Sequence, residues 1–263
     1  MKYLTIIIVV KNNLEGLKKT IASIESNSDE YTKTTFNIMF VDGDSTDGTW
    51  EYINDLKSNF NIEIFQERPT GIYPAMNFAI KNVKTEWIWF MNSSDIITTP
   101  LKFITETIIN IRNDQNISVI AGQCGLFFTK NEKLVNNKVY YKSLAHQATI
   151  YKIDLHIRLG NYDEKFKTIS DRLFLEKIPT KEIIYMNNYF AATLVSPYNT
   201  SRNYSLYYFD YMRFYKINIT YKVFIKIIFK TTILFFEKKI KFSLTTWFLH
   251  KLKTLNYINN DTA

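Results

Sequence analysis

The sequence predicts an α/β protein: a doubly wound, mostly parallel sheet with helices on both faces, followed by a helical, basic C-terminal extension. Three observations predict it. Four short apolar runs, Leu4 to Val10, Phe36 to Val41, Ile62 to Phe65 and Trp87 to Met91, read as strands buried on both faces. Between them apolar residues recur at three- and four-residue spacing, as on helices that lie against a sheet. Strands that alternate with helices in this way are joined by right-handed crossovers and are therefore parallel.

The elements follow in order. Leu14, Leu17, Ile21 and Ile24 mark the first helix. After the second strand, Asp42-Gly43-Asp44-Ser45-Thr46-Asp47-Gly48-Thr49 is a polar loop, in which Ser45, Thr46 or Asp47 can cap the helix carrying Trp50, Ile53 and Leu56. Asp47 is expected to be spent on that capping. Pro69 and Gly71 mark a turn before a helix with Ala75, Met76, Ala79, Ile80 and Val83, and Leu101 to Ile111 is another helix. The pattern then becomes less regular. Short strands are expected at Ser118 to Ala121, Leu126 to Phe128, Val139 to Tyr141 and Ala148 to Tyr151, with Gly122, Gly125 and Asn136-Asn137 as turns. Asp171 opens a helix with Leu173, Phe174 and Leu175, and Ile183 to Met186 is a final strand. The polar stretch Ser196 to Asn203 is an expected domain edge or lid. This divides the chain into a domain, 1–200, in two halves (1–98 and 99–200), and a helical extension, 201–263.

Composition narrows the function. At 46% hydrophobic and 16% aromatic, the 263 residues can build a substantial core, and disorder is not expected. The one cysteine, Cys124, excludes an intramolecular disulfide and suits a reducing, cytoplasmic setting. The apolar run at Leu4 has no small-residue cleavage site after it and reads as a strand rather than a signal sequence. No run is long enough for a membrane-spanning helix. The net charge of +8 owes much to Lys222, Lys226, Lys230, Lys238, Lys239, Lys241, Lys251 and Lys253, which are unaccompanied by any nucleic-acid-binding signature. Lys222, Lys226 and Lys230 share one helical face, with Val223, Phe224, Ile227 and Ile228 largely elsewhere. Such a helix is expected to lie on an anionic membrane surface, placing the protein peripherally on the inner face of the cell membrane.

The chemistry concentrates at strand ends, where ligands of open α/β sheets collect. Asp42 and Asp44 follow the second strand, and a carboxylate there can accept from a base N–H or a ribose hydroxyl. Neither Gly-x-Gly-x-x-Gly nor Gly-x-x-x-x-Gly-Lys-Ser/Thr is present, so no glycine loop cradles a phosphate. Asp95, just past the fourth strand in Phe90-Met91-Asn92-Ser93-Ser94-Asp95, can instead hold a divalent cation, Mn²⁺ or Mg²⁺, against a diphosphate.

With Leu4 to Asn13, Val41 to Thr49, Gly71-Ile72-Tyr73-Pro74-Ala75-Met76-Asn77, Phe90 to Asp95, His146-Gln147-Ala148, and Tyr162 to Phe166 through Ser170-Asp171, the sequence resembles family-2 glycosyltransferases of the GT-A fold. The resemblance covers about the first 195 residues and is strongest to bacterial enzymes that build surface polysaccharides. It implies an inverting transfer of a sugar, hexosyl or N-acetylhexosaminyl, from a nucleotide-diphosphate sugar, a UDP-sugar first among them, to a hydroxyl of a growing, lipid-linked glycan. It places Val9, Lys11 and Asp42 at the nucleotide, where Asp44 and Ser94 are also expected, and Asn77, Asn92 and His146 at the donor sugar and diphosphate; Arg202, in the polar stretch beyond the resemblance, is expected to close over the diphosphate as a lid residue. Asp95 falls on the metal position and Asp171 on the acid that deprotonates the acceptor. The sequence departs from the family pattern at Lys11, where an aromatic is usual, at Ser93, where an acid is usual, and at Pro74. These departures keep open a second expectation, a catalytically impaired relative that binds nucleotide sugar or acts as a scaffold.

Overall fold

A computed structural model describes residues 2–56, 60–68, 70–128, 134–135, 144–195, 210 and 214. The expected strand at Val139 to Tyr141, the Asn136-Asn137 turn, Pro69, Arg202 and the basic helices lie outside these residues.

The chain divides into two compact units, residues 1–165 with 170–197, and residues 166–169 with 198–263. The first is built around β1 (Leu4–Val10), which pairs in parallel with β2 (Phe36–Asp42) on one side and β4 (Trp87–Asn92) on the other. β3 (Ile62–Gln66) extends the parallel set beyond β2. The connections hold the helices α1 (Leu14–Ser26), α2 (Glu30–Lys33), α3 (Thr49–Asp55) and α4 (Ile72–Asn82). After β4 come β5 (Asp95–Ile97), α5 (Leu101–Ile111), β6 (Val119–Phe128), β7 (Leu134–Val135), β8 (Thr149–Lys152), α6 (Asp154–Leu159), α7 (Ser170–Leu175) and β9 (Ile183–Val195). Among the described residues the strands form one sheet in the order β3-β2-β1-β4-β8-β6-β9-β5, with β7 on β6. Its first four strands are parallel, as expected, and the rest mixes both senses, β8 running antiparallel to β4 and β6, and β9 parallel to β6.

Helices cover both faces because every side chain of β1 is buried. Ile6, Ile8 and Val10 pack with Leu17 and Ile21 of α1, Ile53 of α3 and Ile104 and Ile108 of α5. Ile7 and Val9 point the other way, into a cluster with Met76 and Ile80 of α4, Leu155 of α6 and Phe174 of α7.

Several local expectations are corrected in the second half. Gly122 and Gly125 lie inside β6 instead of turning the chain. Gly122 is required by packing: a Cβ there would stand 2.2 Å from Phe190 Cγ, inside the ring's van der Waals envelope. The last strand runs from Ile183 to Val195, well beyond the expected Met186. Thr149–Lys152 is preceded by a tight helical turn at His146–Ala148, so the expected strand starts one residue later.

The second unit is described at Phe166–Ile169, Asp210 and Phe214. There Asp210 Oδ2 accepts from Lys167 N (2.6 Å), Thr168 N (2.9 Å) and Thr168 Oγ1 (3.0 Å), and the rings of Phe166 and Phe214 meet edge to face.

Candidate active site

Three parallel strands end side by side, Val10 opposite Asp42 and Val9 opposite Asn92. Beyond each end one non-glycine residue takes a left-handed backbone: Asn12 (φ 48°), Asp44 (φ 64°) and Ser94 (φ 84°). Asn and Asp visit that region readily and Ser does so at a cost, so the surroundings must hold Ser94 there. They do. Ser94 N donates to Thr20 Oγ1 (3.0 Å) and Gly16 O (3.1 Å), and Asn13 Nδ2 donates to Ser93 Oγ (2.8 Å) and Ser94 Oγ (3.2 Å). Asn13 Oδ1 accepts from Gly16 N at the start of α1, so one side chain caps the helix and pins the Ser93-Ser94 loop.

Gly16 is the residue that makes this junction fit. A Cβ there would lie 2.2 Å from Ser94 Oγ and 2.5 Å from Asn13 Nδ2. Gly16→Ala is therefore expected to be destabilising by about 1–3 kcal/mol, although alanine normally strengthens a helix interior. A urea midpoint no lower than that of the unmutated chain would contradict the expectation.

At the end of β2, Asp42 is fully buried, its Oδ2 accepting from Ser45 N at 2.9 Å and its Oδ1 buried with no partner among the described residues. A buried acceptor left open in this way is costly unless a ligand donor meets it. Lys11 is exposed, and its stem lies along Gly43, where even a methyl group would come within 3.0 Å of it. Asp44 pairs with Arg68 at 2.8 Å, and Arg68 was not singled out by the sequence because it stands in no periodic or motif position. Asp47 satisfies loop and helix-start amides, accepting from Leu14 N (3.0 Å), Thr49 N (3.1 Å) and Thr49 Oγ1 (2.6 Å), while the cap position of α3 itself is Gly48 and not Ser45, Thr46 or Asp47. Val9 lies within β1 with its side chain in the core.

Asp95 opens β5, opposite Thr193 of β9, and is 3% exposed. Its Oδ2 accepts from Asn92 N at 3.1 Å. Burial pushes its carboxyl up to about 6, against the opposing influences of His146, Thr193 and the Asn92 amide.

The remaining candidates meet in a line. Asp171, in the first turn of α7, accepts from Tyr73 Oη at Oδ1 (2.7 Å), and its Oδ2 stands 2.6 Å from His146 Nδ1. His146 Nε2 in turn lies 3.0 Å from Asn92 Nδ2. The His146 turn is anchored by Ala148 N to Ala145 O (2.9 Å) and Trp89 Nε1 to Gln147 O (2.8 Å). Burial alone would raise the Asp171 carboxyl, but the His146 charge, its hydrogen bond and the Tyr73 hydroxyl outweigh it and hold the group below its usual range. Burial alone would lower the His146 imidazole, and the carboxylates of Asp171 and Asp95 reverse that and hold it above its usual value. The two form an ion pair whose side chains remain 14% and 16% exposed, enough for a small ligand group to reach them.

Asn77 is placed differently from the rest. It is buried, its Nδ2 donates to Tyr162 O (2.9 Å) and Glu164 Oε1 (2.9 Å), and its Oδ1 accepts from Tyr162 N (3.1 Å). The side chain ties α4 to the segment before α7. Tyr73, by contrast, was missed as a site residue because with Met76 and Ile80 it falls on the apolar face of α4, where an aromatic reads as core.

Comparison with known proteins bears on the whole arrangement. Residues 5–158 match the model of glycosyl transferase family 2. An uncharacterized glycosyltransferase of Mycobacterium tuberculosis is 23% identical over 184 residues, 65% of this chain and 66% of that protein. TarS of S. aureus in complex with UDP-GlcNAc superposes with a TM-score of 0.63 at 18% identity, over 77% of this chain and 61% of that one. The mannosyltransferase PcManGT of Pyrobaculum calidifontis, in complex with GDP-Man and Mn²⁺, gives 0.57 at 13% identity, over 76% and 59%. The chain thus spans less than two thirds of the length of these proteins. The sheet order and the matched residues carry one conclusion: the chain belongs to glycosyl transferase family 2.

Proposed function

We propose that the chain moves a sugar from a nucleotide-diphosphate sugar to a hydroxyl of a growing, lipid-linked surface glycan, by direct displacement with inversion. The observation that supports it best is the hydrogen-bonded line Tyr73, Asp171, His146, Asn92, which joins an acid–base pair to the loop carrying Asp95. Asp42, with its open Oδ1, stands at the neighbouring strand end, suited to a base N–H. The Asp171 and His146 pair assists removal of the acceptor proton, an effect typically worth about 10²–10⁴ in rate. A UDP-sugar is the first donor to test, since TarS binds UDP-GlcNAc, and a GDP-sugar the second. No helix among the described residues is long and apolar enough to cross a membrane, and the proposed peripheral contact with anionic lipid falls to the lysine-rich C-terminal stretch.

A divalent cation, Mn²⁺ or Mg²⁺, would be held by Asp95. Among the described residues no three His, Cys, Asp or Glu side chains converge, and Ser93 supplies a hydroxyl where the family usually has an acid. One carboxylate with open valences fits a cation shared with substrate phosphates and water, and does not fit a protein-only cage. When bound, the cation neutralises charge on the departing diphosphate. The same scarcity of ligands favours a second reading, a relative that binds nucleotide sugar without transferring it.

A thermal-shift series with UDP, GDP, CDP and dTDP, each with and without Mn²⁺ or Mg²⁺, tests the binding claim by mass action. One nucleotide is expected to raise the melting temperature only when metal is present, metal alone is expected to leave it unmoved, and Asp95→Ala is expected to remove the effect. No shift with any nucleotide would sink the donor assignment. Binding without release of nucleoside diphosphate from the matching sugar donor would favour the second reading.

A further inference from the structure

We propose that Asn77 is a positioning residue for the Asp171 carboxylate: it clamps Tyr162, and the Tyr162 ring is the spacer that sets α4 against α7 so that Tyr73 meets Asp171. The assignment rests on the transfer reading above and goes beyond it by giving Asn77 a task away from the donor sugar.

The amide of Asn77 is fully engaged inside the protein. The residue is 5% exposed, and both hydrogens of Nδ2 have acceptors, Tyr162 O (2.9 Å) and Glu164 Oε1 (2.9 Å). Its Oδ1 accepts from Tyr162 N at 3.1 Å. No hydrogen is left for a sugar hydroxyl. By bonding to both the N–H and the C=O of one residue, the side chain holds Tyr162 as a neighbouring strand would. The phenol end is held as well, since Tyr162 Oη and Tyr151 Oη share a 2.6 Å hydrogen bond, and Tyr151 Oη stands 3.1 Å from His156 Nε2.

A ring fixed at both ends can act as a wedge, and its neighbours show what it separates. Its centroid lies 5.7 Å from the ring of Tyr73 on α4, 5.3 Å from that of Phe174 on α7 and 5.9 Å from that of Phe90 on β4. Tyr73 and Asn77 are neighbours one turn apart on α4, as Asp171 and Phe174 are on α7. One ring therefore touches both helices at the turns that carry the Tyr73 and Asp171 pair. The spacing of those helices, and with it the 2.7 Å bond from Tyr73 Oη to Asp171 Oδ1, depends on where Tyr162 sits. A close-packed interior passes such a displacement on instead of absorbing it. The bond matters to the reaction because, with Oδ1 given to Tyr73 and Oδ2 facing His146, the carboxylate is left one orientation.

The test measures nucleoside diphosphate release from UDP-glucose, UDP-N-acetylglucosamine and GDP-mannose, with water as acceptor, together with the melting temperature and its shift on nucleotide binding. The chains compared are the unmutated one, Asn77→Ala, Tyr73→Phe, the double variant of these two, and Phe36→Leu. Phe36 is buried at the start of β2, the end remote from Asp42, and supplies a loss of stability without a role at the site. Asn77→Ala is expected to lower kcat by about 10–10²-fold, the size of a lost hydrogen bond to a charged group, with donor KM and the nucleotide-induced shift little changed. In the Tyr73→Phe background the same substitution is expected to cost less than about threefold, because the two residues act through one contact. Phe36→Leu is expected to lower the melting temperature and leave kcat unchanged.

A raised donor KM in Asn77→Ala at unchanged kcat would overturn the assignment and return Asn77 to the donor sugar. Equal losses of kcat in both backgrounds would overturn it too, as would a fall in melting temperature alone, the behaviour of Phe36→Leu. Should Asn77→Ala not melt cooperatively, Asn77→Ser, which keeps a hydroxyl toward Tyr162, takes its place in the same comparison. An unmutated chain that neither binds nor hydrolyses any of these donors would remove the transfer reading itself, and this assignment with it.

Discussion

Asp171→Asn is expected to lower the rate of sugar transfer or donor hydrolysis by about 10²–10⁴ while leaving nucleotide binding nearly intact. The separation follows from geometry. Asp171 bonds to Tyr73 and His146, side chains that lie apart from the Asp42 loop in the sequence and at other elements of the fold. The asparagine nearly preserves shape but removes the charge that holds His146 above its usual pKa, and its NH₂ group cannot accept from Nδ1. The amide left behind cannot take up the acceptor proton, and the imidazole loses the partner that fixes its orientation. Tyr73→Phe removes one donor to the same carboxylate and should cost less, in line with about 1.5–3 kcal/mol for a hydrogen bond to a charged group. The measurement is initial-rate release of nucleoside diphosphate at saturating donor. Unchanged turnover in Asp171→Asn would show that proton removal is done elsewhere.

The first half of the fold was legible because its physics is local. Strands buried on both faces are continuous apolar runs, so β1, β2, β3 and β4 stand out without tertiary information. The second half obeys long-range rules. Asn187-Asn188 looks like a turn after Met186, yet β9 continues through it because the register with β6 shifts there: Ala121 faces Tyr185 while Gln123 faces Tyr189. The surplus residues are absorbed as a bulge, which no single-strand pattern announces. Gly122 misled for a related reason, since it reads as a turn until Phe190 is seen to fill the space above it. In the site, Asp42, Asp95, His146 and Asp171 were recognisable as motif residues. Their supporting contacts were not: Asn13, Gly16 and Tyr73 act through partners roughly 80 to 100 residues away.

Asp95→Asn is expected to make the unliganded protein more stable near neutral pH, by about 3 kcal/mol, while abolishing any metal-dependent nucleotide effect. Burial raises the folded-state pKa of Asp95 from 3.8 to about 6, so the native state favours the protonated carboxyl. Its contribution is fully present below the unfolded pKa and is lost as pH rises through 6. His156 works in the opposite sense. Burial lowers its pKa from 6.5 to about 4, so the unfolded chain binds the extra proton between those values and stability rises with pH across them. The two shifts are of similar size and should largely cancel, leaving the contribution of this pair nearly flat from pH 4 to pH 6.5. With the carboxyl replaced by an amide the His156 contribution stands alone, and the stability of the variant should climb by about 3 kcal/mol over that range. Its advantage over the unmutated chain should vanish near pH 4, where Asp95 is itself neutral. The substituted side chain can keep the bond from Asn92 N through its amide oxygen, so packing changes little. Urea midpoints of both proteins from pH 4 to pH 8 decide the matter. Parallel profiles would mean that Asp95 is not penalised by burial. Diverging ones would identify a carboxylate kept ionised at neutral pH against the preference of the fold, as a group reserved for a cation and a diphosphate must be.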